Sequence, residues 1–179
     1  MAATPSASSS DRATVAMSGV QGVHHIAVSV PDLAMARRFY IDLLGAVEEV
    51  EPLSWRDNPF IDSVVGLEGS IADQFICRLG NVQIEVFEYH APRSDPQDPD
   101  RGVNAFGYTH FALQVDDIQA CYERLSAEGI HFHAAPDLST IAVDADGNKT
   151  GYSATYCRDW FGNVFELIEI YPNDGLKPI

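Results

Sequence analysis

The chain contains an internal duplication, which limits the folds that are open to it. Residues 23–33 read VHHIAVSVPDL, and residues 108–118 repeat the pattern as YTHFALQVDDI. Each copy ends in a second matching segment, QIEVFE at 83–88 and VFELIE at 164–169. His25 and Glu85 lie 60 positions apart, and His110 and Glu166 lie 56 positions apart. The duplication therefore predicts two similar modules that share one fold.

The first copy has the pattern of a β-α-β-β-β module. A strand over Val23–Val30 stops at Pro31, Asp32 is a suitable helix N-cap, and Gly45 ends the helix. The pair Gly80-Asn81 is typical of a hairpin turn. The remaining segments are predicted as strands at Ala46–Val50, Phe60–Leu67, Gln74–Leu79 and Val82–Tyr89, with a polar loop over Pro52–Pro59.

The second copy predicts the same order of elements. Its strands are expected at Thr109–Val115, Ile130–Ala134, Tyr152–Arg158 and Asn163–Ile170, with a helix over Ile118–Glu128 and a turn at Asp144–Asn148. The expected organisation is a disordered leader (1–19), a first module (20–91), a linker (92–106), a second module (107–172) and a tail (173–179). The predicted fold class is α+β with two tandem βαβββ modules.

The composition limits the kinds of macromolecule or surface that the protein is expected to bind. The 179 residues are 46% hydrophobic and 21% charged, which is typical of a globular protein. A net charge of −15 argues against nucleic acid, whose phosphates need basic surface. No stretch approaches the roughly 20 apolar residues of a membrane span, and the leader lacks the features of a secretory signal. We therefore predict a soluble cytoplasmic protein that binds neither membrane nor nucleic acid.

The cysteines do not suggest a disulfide framework or a thiolate metal site. Cys77, Cys121 and Cys157 are odd in number and widely spaced, and no CxxC pair occurs. Two of them fall in predicted strands and one in a predicted helix. We expect all three to be buried, unreactive thiols.

Four repeated polar residues are the candidate metal ligands: His25, Glu85, His110 and Glu166. Each lies in a predicted strand between mostly apolar neighbours, so its side chain points to the opposite face. Such a side chain must be solvated, paired or metal-bound. Solvent-facing polar residues are the simpler interpretation for any one of them, but their recurrence favours one composite site. Two imidazoles and two carboxylates suit Zn²⁺, Ni²⁺, Fe²⁺, Mn²⁺ or Co²⁺.

Other polar residues are expected to have different roles. Glu88 and Glu169 also repeat, but their spacing from the candidate ligands places them on the other strand face, which predicts supporting or surface roles. His131 and His133 share a face, and surface or lid positions are expected for them.

These motifs resemble the vicinal oxygen chelate superfamily, which includes glyoxalase I, methylmalonyl-CoA epimerase, extradiol dioxygenases and bleomycin- or fosfomycin-resistance proteins. The resemblance covers about residues 22–171 and rests on HHIAVSVPDLAMARRFYIDLLG, VQIEVFEY, THFALQVDDIQACYERLSAEGI and YCRDWFGNVFELIEI. It implies curled sheets that form an incomplete barrel around one divalent metal held by His25, Glu85, His110 and Glu166. Trp160 departs from the family pattern, where proline is common.

The resemblance also implies three alternative activities. The favoured one is a metal-dependent lyase or isomerase of the glyoxalase or epimerase type. The metal would bind adjacent substrate oxygens, acidify the neighbouring C–H and stabilise an enediolate, while Glu166 or Glu85 moves the proton. The alternatives are an Fe²⁺-dependent extradiol-type dioxygenase and a non-catalytic small-molecule or antibiotic-binding resistance protein.

Two further expectations concern the assembly and the substrate. A homodimer is expected, in which the modules pair within one chain or exchange between two chains. The substrate is expected to be a small molecule with adjacent oxygens. Its specificity should depend on the segments that do not repeat: Pro52–Phe60 with Trp55 and Arg56, the linker Asp95–Phe106, and Pro136–Gly151.

Overall fold

The first module forms one mixed sheet in the computed structural model, which describes residues 19–179. The predicted leader at 1–19 lies outside the described residues except for Gly19. The elements of this module are β1 (His25–Ser29), α1 (Leu33–Arg37) with a π-helical continuation (Arg38–Leu43), β2 (Val47–Glu48), β3 (Leu53–Trp55), α2 (Pro59–Val65), β4 (Ile71–Leu79) and β5 (Val82–Ala91).

The second module repeats this arrangement. Its elements are β6 (Phe111–Gln114), α3 (Ile118–Ala127), β7 (His131–Phe132), a short 3-10 helix (Leu138–Thr140), β8 (Ile141–Val143), β9 (Lys149–Arg158) and β10 (Val164–Tyr171). None of the helices within residues 19–179 has the length and apolar character needed to cross a membrane.

The two sheets have matching strand orders, β1-β5-β4-β2 and β6-β10-β9-β7. β3 also pairs with β4, and β8 also pairs with β9. In each sheet the first strand is parallel to the last strand of its module, while the other pairs are antiparallel. β1 and β6 are therefore edge strands, and neither sheet closes on itself. The predicted α+β fold with open sheets is confirmed.

One predicted strand is wrong, because the segment Phe60–Leu67 is largely helical. Pro59 stands in the first turn of α2, and the Asn58 side chain accepts a hydrogen bond from the N–H of Ile61 at 3.2 Å. Gly66 ends the helix with a left-handed backbone at φ 71°. Proline at the start and glycine after the end are helix boundary signals, and they outweigh the β-branched composition here.

The segment Pro52–Pro59 also differs from its prediction as a polar loop. Leu53–Trp55 pairs with β4 as a short strand. The Trp55 ring is buried, and its Nε1–H donates to Ser70 Oγ at 2.8 Å. Trp55 thus has a packing role, which is the common use of a buried tryptophan with a satisfied N–H.

The repeated glutamates Glu88 and Glu169 hold the helices against the sheets. Glu88 Oε2 accepts from the N–H of Leu33 at 3.0 Å, and Glu169 Oε2 accepts from the N–H of Ile118 at 2.9 Å. Asp32 and Asp117 cap the same two helices through the N–H groups three residues later. A carboxylate at this position satisfies an unpaired N–H and complements the helix dipole. The predicted supporting role of Glu88 and Glu169 is therefore to accept hydrogen bonds from the first N–H groups of α1 and α3.

The modules share one hydrophobic core. Phe39 and Tyr40, both fully buried in the π-helical segment, reach the second module. The Phe39 ring lies 5.7 Å from the Phe165 ring and 5.6 Å from the Trp160 ring, both edge-to-face. The Tyr40 hydroxyl donates to the buried Asp159 carboxylate at 3.5 Å. Trp160, the departure from the family pattern, thus contributes to the contact between modules.

The three cysteines are free, as expected from their spacing. Cys77 and Cys157 are fully buried at matching positions of β4 and β9, and Cys121 is partly buried. Burial raises the pKa of the Cys77 thiol to about 11 and raises those of Cys121 and Cys157. Thiols with raised pKa values form little thiolate, which agrees with an unreactive role.

Candidate functional site

His25 and Glu85 form a pair on adjacent parallel strands. The Nε2 atom of His25 lies 3.2 Å from Oε2 of Glu85. Their strands are in a register that places Ala27 beside Glu85. Ile84 and Val86, the neighbours of Glu85, are fully buried, so Glu85 projects from the opposite face. The alternation that predicted a polar face for this position is present in the structure.

His110 and Glu166 form the equivalent pair in the second module. His110 Nε2 lies 3.1 Å from Oε2 of Glu166. Glu166 is opposite Ala112 in the β6–β10 register, as Glu85 is opposite Ala27. His110 directly precedes β6, whereas His25 is the first residue of β1. The duplication therefore reproduces side-chain geometry as well as the main-chain fold.

The two histidines differ in their surroundings. His25 Nδ1 lies 2.9 Å from Nδ1 of His24, and the side chain of His25 is 42% exposed. His110 Nδ1 lies 2.9 Å from the Thr109 hydroxyl, and its ring packs against Tyr156 with 4.6 Å between centroids. The His110 side chain is only 25% exposed. The second pair is therefore the better enclosed.

A cavity of about 740 Å³ lies between the two modules and is lined by both histidines, whereas neither Glu85 nor Glu166 lines it. His25 reaches its wall from edge strand β1 and His110 from the residue before edge strand β6, and the linker covers part of it. The predicted contribution of the linker to the site thus has a structural counterpart, whereas Trp55, Arg56 and the 136–151 segment do not line this cavity. The polar lining residues include Gln97, Arg101, Thr109, Arg158 and Asn163.

The donor set fits a divalent transition metal, although the structure arranges it as two pairs. Ligand atoms each about 2.1 Å from an ion and at right angles to each other are about 3.0 Å apart, close to the Nε2–Oε2 distance in both pairs. Within residues 19–179, no group of three His, Cys, Asp or Glu side chains is close enough to hold one ion. A centre shared by all four residues would require the pairs to approach each other.

Sequence reasoning missed three residues near the site: Arg101, Tyr156 and Arg158. Tyr156 and Arg158 project from the same face of β9 as the ligand pair, because Tyr156 is directly opposite Glu166 in the β9–β10 register. Alternation along the predicted strand would have placed both on this face. Arg101 lies in the linker, whose path no pattern specifies.

His133 lies on the edge of this group. Its ring centroid is 6.1 Å from that of Tyr156. Burial lowers the pKa of His133, and the charges of Arg158 and His131 lower it further. The imidazole is therefore held toward its neutral form. The expected lid or surface position is only partly accurate, since His133 also contacts a residue of the site.

Two of the relatives found by comparison of sequences are epimerases. A 2-epi-5-epi-valiolone epimerase from Actinomyces sp is 29% identical over 155 residues, which is 85% of this chain and 81% of the epimerase. The mitochondrial methylmalonyl-CoA epimerase of Mus musculus is 34% identical over 113 residues, which is 60% of this chain and about half, 53%, of the epimerase.

Solved structures show the same fold. A glyoxalase family protein from Bacillus cereus aligns with a TM-score of 0.72 at 20% identity, covering 88% of this chain and all of that one (100%). The fosfomycin resistance protein FosX from Listeria monocytogenes, in complex with Mn(II) and sulfate, aligns with a TM-score of 0.52 at 19% identity, covering 84% and 93%.

The family assignment follows from the model that matches residues 22–167, the span that contains both His–Glu pairs. This chain belongs to the glyoxalase/bleomycin resistance protein/dioxygenase superfamily, also called the vicinal oxygen chelate superfamily.

Proposed function

We propose that the protein is a metal-dependent isomerase of the epimerase type, which moves a proton at a carbon next to a carbonyl group. The observation that carries this proposal is the two matched His–Glu contacts, 3.2 Å and 3.1 Å, whose histidines line one cavity. Similarity to two epimerases supports an isomerase over the other activities in this superfamily.

His25, Glu85, His110 and Glu166 are the residues that would hold the metal. A divalent ion bound there would act as a Lewis acid and stabilise negative charge on the substrate oxygens. The chain itself supplies the remaining functions. The cavity between β1 and β6 encloses a small substrate and limits water around it.

Glu166 and Glu85 are the proposed proton carriers. A carboxylate oxygen of one residue accepts the proton from the substrate carbon, and a carboxyl group of the other returns a proton to the opposite face of that carbon. The two residues belong to different sheets, and this supports an arrangement in which they lie on different sides of a substrate between the modules. Removal from one face and return from the other inverts the configuration.

Hydrogen exchange at the substrate carbon tests this function directly. The full chain loaded with Mn²⁺, Co²⁺, Ni²⁺ or Zn²⁺ is incubated in D₂O with a panel of 2-substituted acyl thioesters and 2-hydroxy ketones, and proton NMR follows loss of the C2 signal. We expect exchange with at least one compound class. Glu166→Gln and Glu85→Gln should each lower the rate by about 100-fold or more, the usual contribution of general acid–base catalysis.

Glu68→Gln is the matched control, because Glu68 is exposed in the turn between α2 and β4, outside the strands that bear the candidate ligands. It should leave the exchange rate unchanged. Absence of exchange for every compound with every metal would contradict the proposal. Oxygen consumption with catechols by the Fe²⁺-loaded protein would indicate the dioxygenase instead.

A further inference from the structure

The two modules carry an arginine at the same place, and the strand registers identify the match. Arg78 pairs with Gln83 at the end of β4, and Arg158 pairs with Val164 at the end of β9. Each also donates a hydrogen bond from Nη1 to the carbonyl of the glycine in the following hairpin, Gly80 at 3.4 Å and Gly162 at 2.8 Å. Fixing this turn is thus the role that the two arginines share.

The arginines differ in whether their charge is neutralised. Nε of Arg78 donates to Oε1 of Glu49 at 2.8 Å. The register of β2 with β4 and of β7 with β9 places His133 where the first module has Glu49. Within residues 19–179, no carboxylate forms an ion pair with Arg158. The second module has therefore replaced the counter-ion of its arginine with a histidine.

The position of Arg158 allows its positive charge to contact a ligand in the cavity. Arg158 lines the cavity, while Arg78 does not. Two of its five N–H groups are used on backbone carbonyls, those of Gly162 and Arg101, so three remain for a ligand. Arg101 lines the same cavity and uses one N–H, on the carbonyl of Phe106.

The charge of the cavity wall contrasts with that of the chain. The protein carries a net charge of −15, yet no Asp or Glu is among the described residues that line the cavity. Arg158 is on the same face of β9 as Tyr156, two residues away, and Tyr156 is opposite Glu166. A strand rises about 3.3 Å per residue, so Arg158 lies roughly 7 Å along the sheet from the His110–Glu166 pair.

We infer that Arg158, with Arg101, binds an oxyanion group of the substrate, a carboxylate or a phosphoryl group, and holds the reacting carbon near His110 and Glu166. The planar guanidinium suits two-point binding of such groups. The identification of this anion as part of the substrate rests on the proposed function. The binding of the anion does not rest on it.

The experiment measures binding of inorganic phosphate and of succinate to the metal-free full chain by isothermal titration calorimetry at low ionic strength. We expect both anions to bind with millimolar or better affinity, and tighter binding of one distinguishes a phosphoryl from a carboxylate ligand. Arg158→Gln should weaken binding by about 10-fold or more, the loss expected for a charge-assisted hydrogen bond. Arg101→Gln should weaken it by a smaller factor.

Arg78→Gln is the matched control, since it removes the equivalent residue from the other module and should leave anion affinity unchanged. If Arg158→Gln does not fold, Arg158→Lys keeps the charge without the planar fork and should still weaken binding. Wild-type protein that binds neither anion, or an Arg158 variant that is folded and binds as tightly as wild type, would overturn the inference. Because no metal or turnover is needed, failure of the proposed isomerase activity would be seen separately.

Discussion

The two His–Glu pairs occupy equivalent places in their modules but have different neighbours. Glu85 is opposite Ile76 on the adjacent strand, whereas Glu166 is opposite Tyr156. The His110 ring packs against Tyr156 at an interplanar angle of 39° and is better enclosed, while His25 is more exposed. The candidate ligands therefore match between the two modules, while the residues around them differ.

This difference separates metal binding from substrate recognition. The equivalent residues that match, two histidines and two glutamates, are those that a symmetric metal site needs. The residues that differ are Tyr156 and His133, and both lie near Arg158, which forms no ion pair with a carboxylate within residues 19–179. We therefore expect the second module to bind and orient the substrate and the first module to complete the metal site.

The largest expected effect is loss of metal. If the two pairs join in one centre, the chain binds one divalent ion, and His25→Ala and His110→Ala each weaken binding by more than 100-fold, since losses of 10–100-fold already follow from changes outside the ligand set. Calorimetric titration with Zn²⁺ gives both stoichiometry and affinity. Two ions per chain, with each variant losing only one, would show instead that the pairs act separately.

An exchange of residues between modules tests the role of the free arginine. His133→Glu gives Arg158 the carboxylate neighbour that Arg78 has in Glu49. We expect phosphate affinity to fall by about 10-fold, as in the loss of a charge-assisted contact. Glu49→His, the reverse change, should leave phosphate binding unchanged because Arg78 is outside the cavity. Equal effects of the two changes would contradict the asymmetry.

The helix-capping glutamates offer a comparison of stability. The side chain of Glu169 is 8% exposed and that of Glu88 is 27% exposed. Glu169→Ala leaves the N–H of Ile118 buried without a partner and should lower the free energy of unfolding by about 1–3 kcal/mol. Glu88→Ala should cost about 1 kcal/mol, a typical value for a cap. Urea denaturation monitored by circular dichroism measures both, and a larger loss for Glu88→Ala would refute the ranking.

The smallest expected effect concerns pH and Asp159, whose equivalent in the first module is Leu79. Burial raises the pKa of Asp159, and hydrogen bonds from Asn163 and Phe161 oppose the shift. A carboxyl group with a raised pKa in the folded state binds its proton more tightly there than in the unfolded chain. Its contribution to stability is therefore present at low pH and is lost as pH rises through the folded-state pKa.

Asp159→Asn removes this titration. As pH rises from 3.8 through the raised pKa of Asp159, the unfolding free energy of wild type should fall relative to that of Asp159→Asn. Urea denaturation at a series of pH values measures this difference. A difference that does not change with pH would show that Asp159 titrates alike in both states.

Local signals in the sequence were sufficient for most of the fold and for the positions of the two His–Glu pairs. Asp32 and Asp117 cap the predicted helices, and the strand alternation places Glu85 and Glu166 opposite the core. The incorrect prediction of a strand at Phe60–Leu67 shows a limit of local patterns. A short apolar run with β-branched residues can form either a helix or a strand, and its composition does not distinguish the two.

The sequence by itself determined the duplication, most of the order of elements and the four repeated ligand candidates, because each depends on local periodicity and spacing. Only the tertiary structure decided that β1 and β6 are edge strands at a common cavity, and that Arg78 has a carboxylate partner whereas Arg158 has none within residues 19–179. Those facts depend on which strands pair and in what register. Pairing between distant segments is set by the packing of the whole core, and no local pattern encodes it.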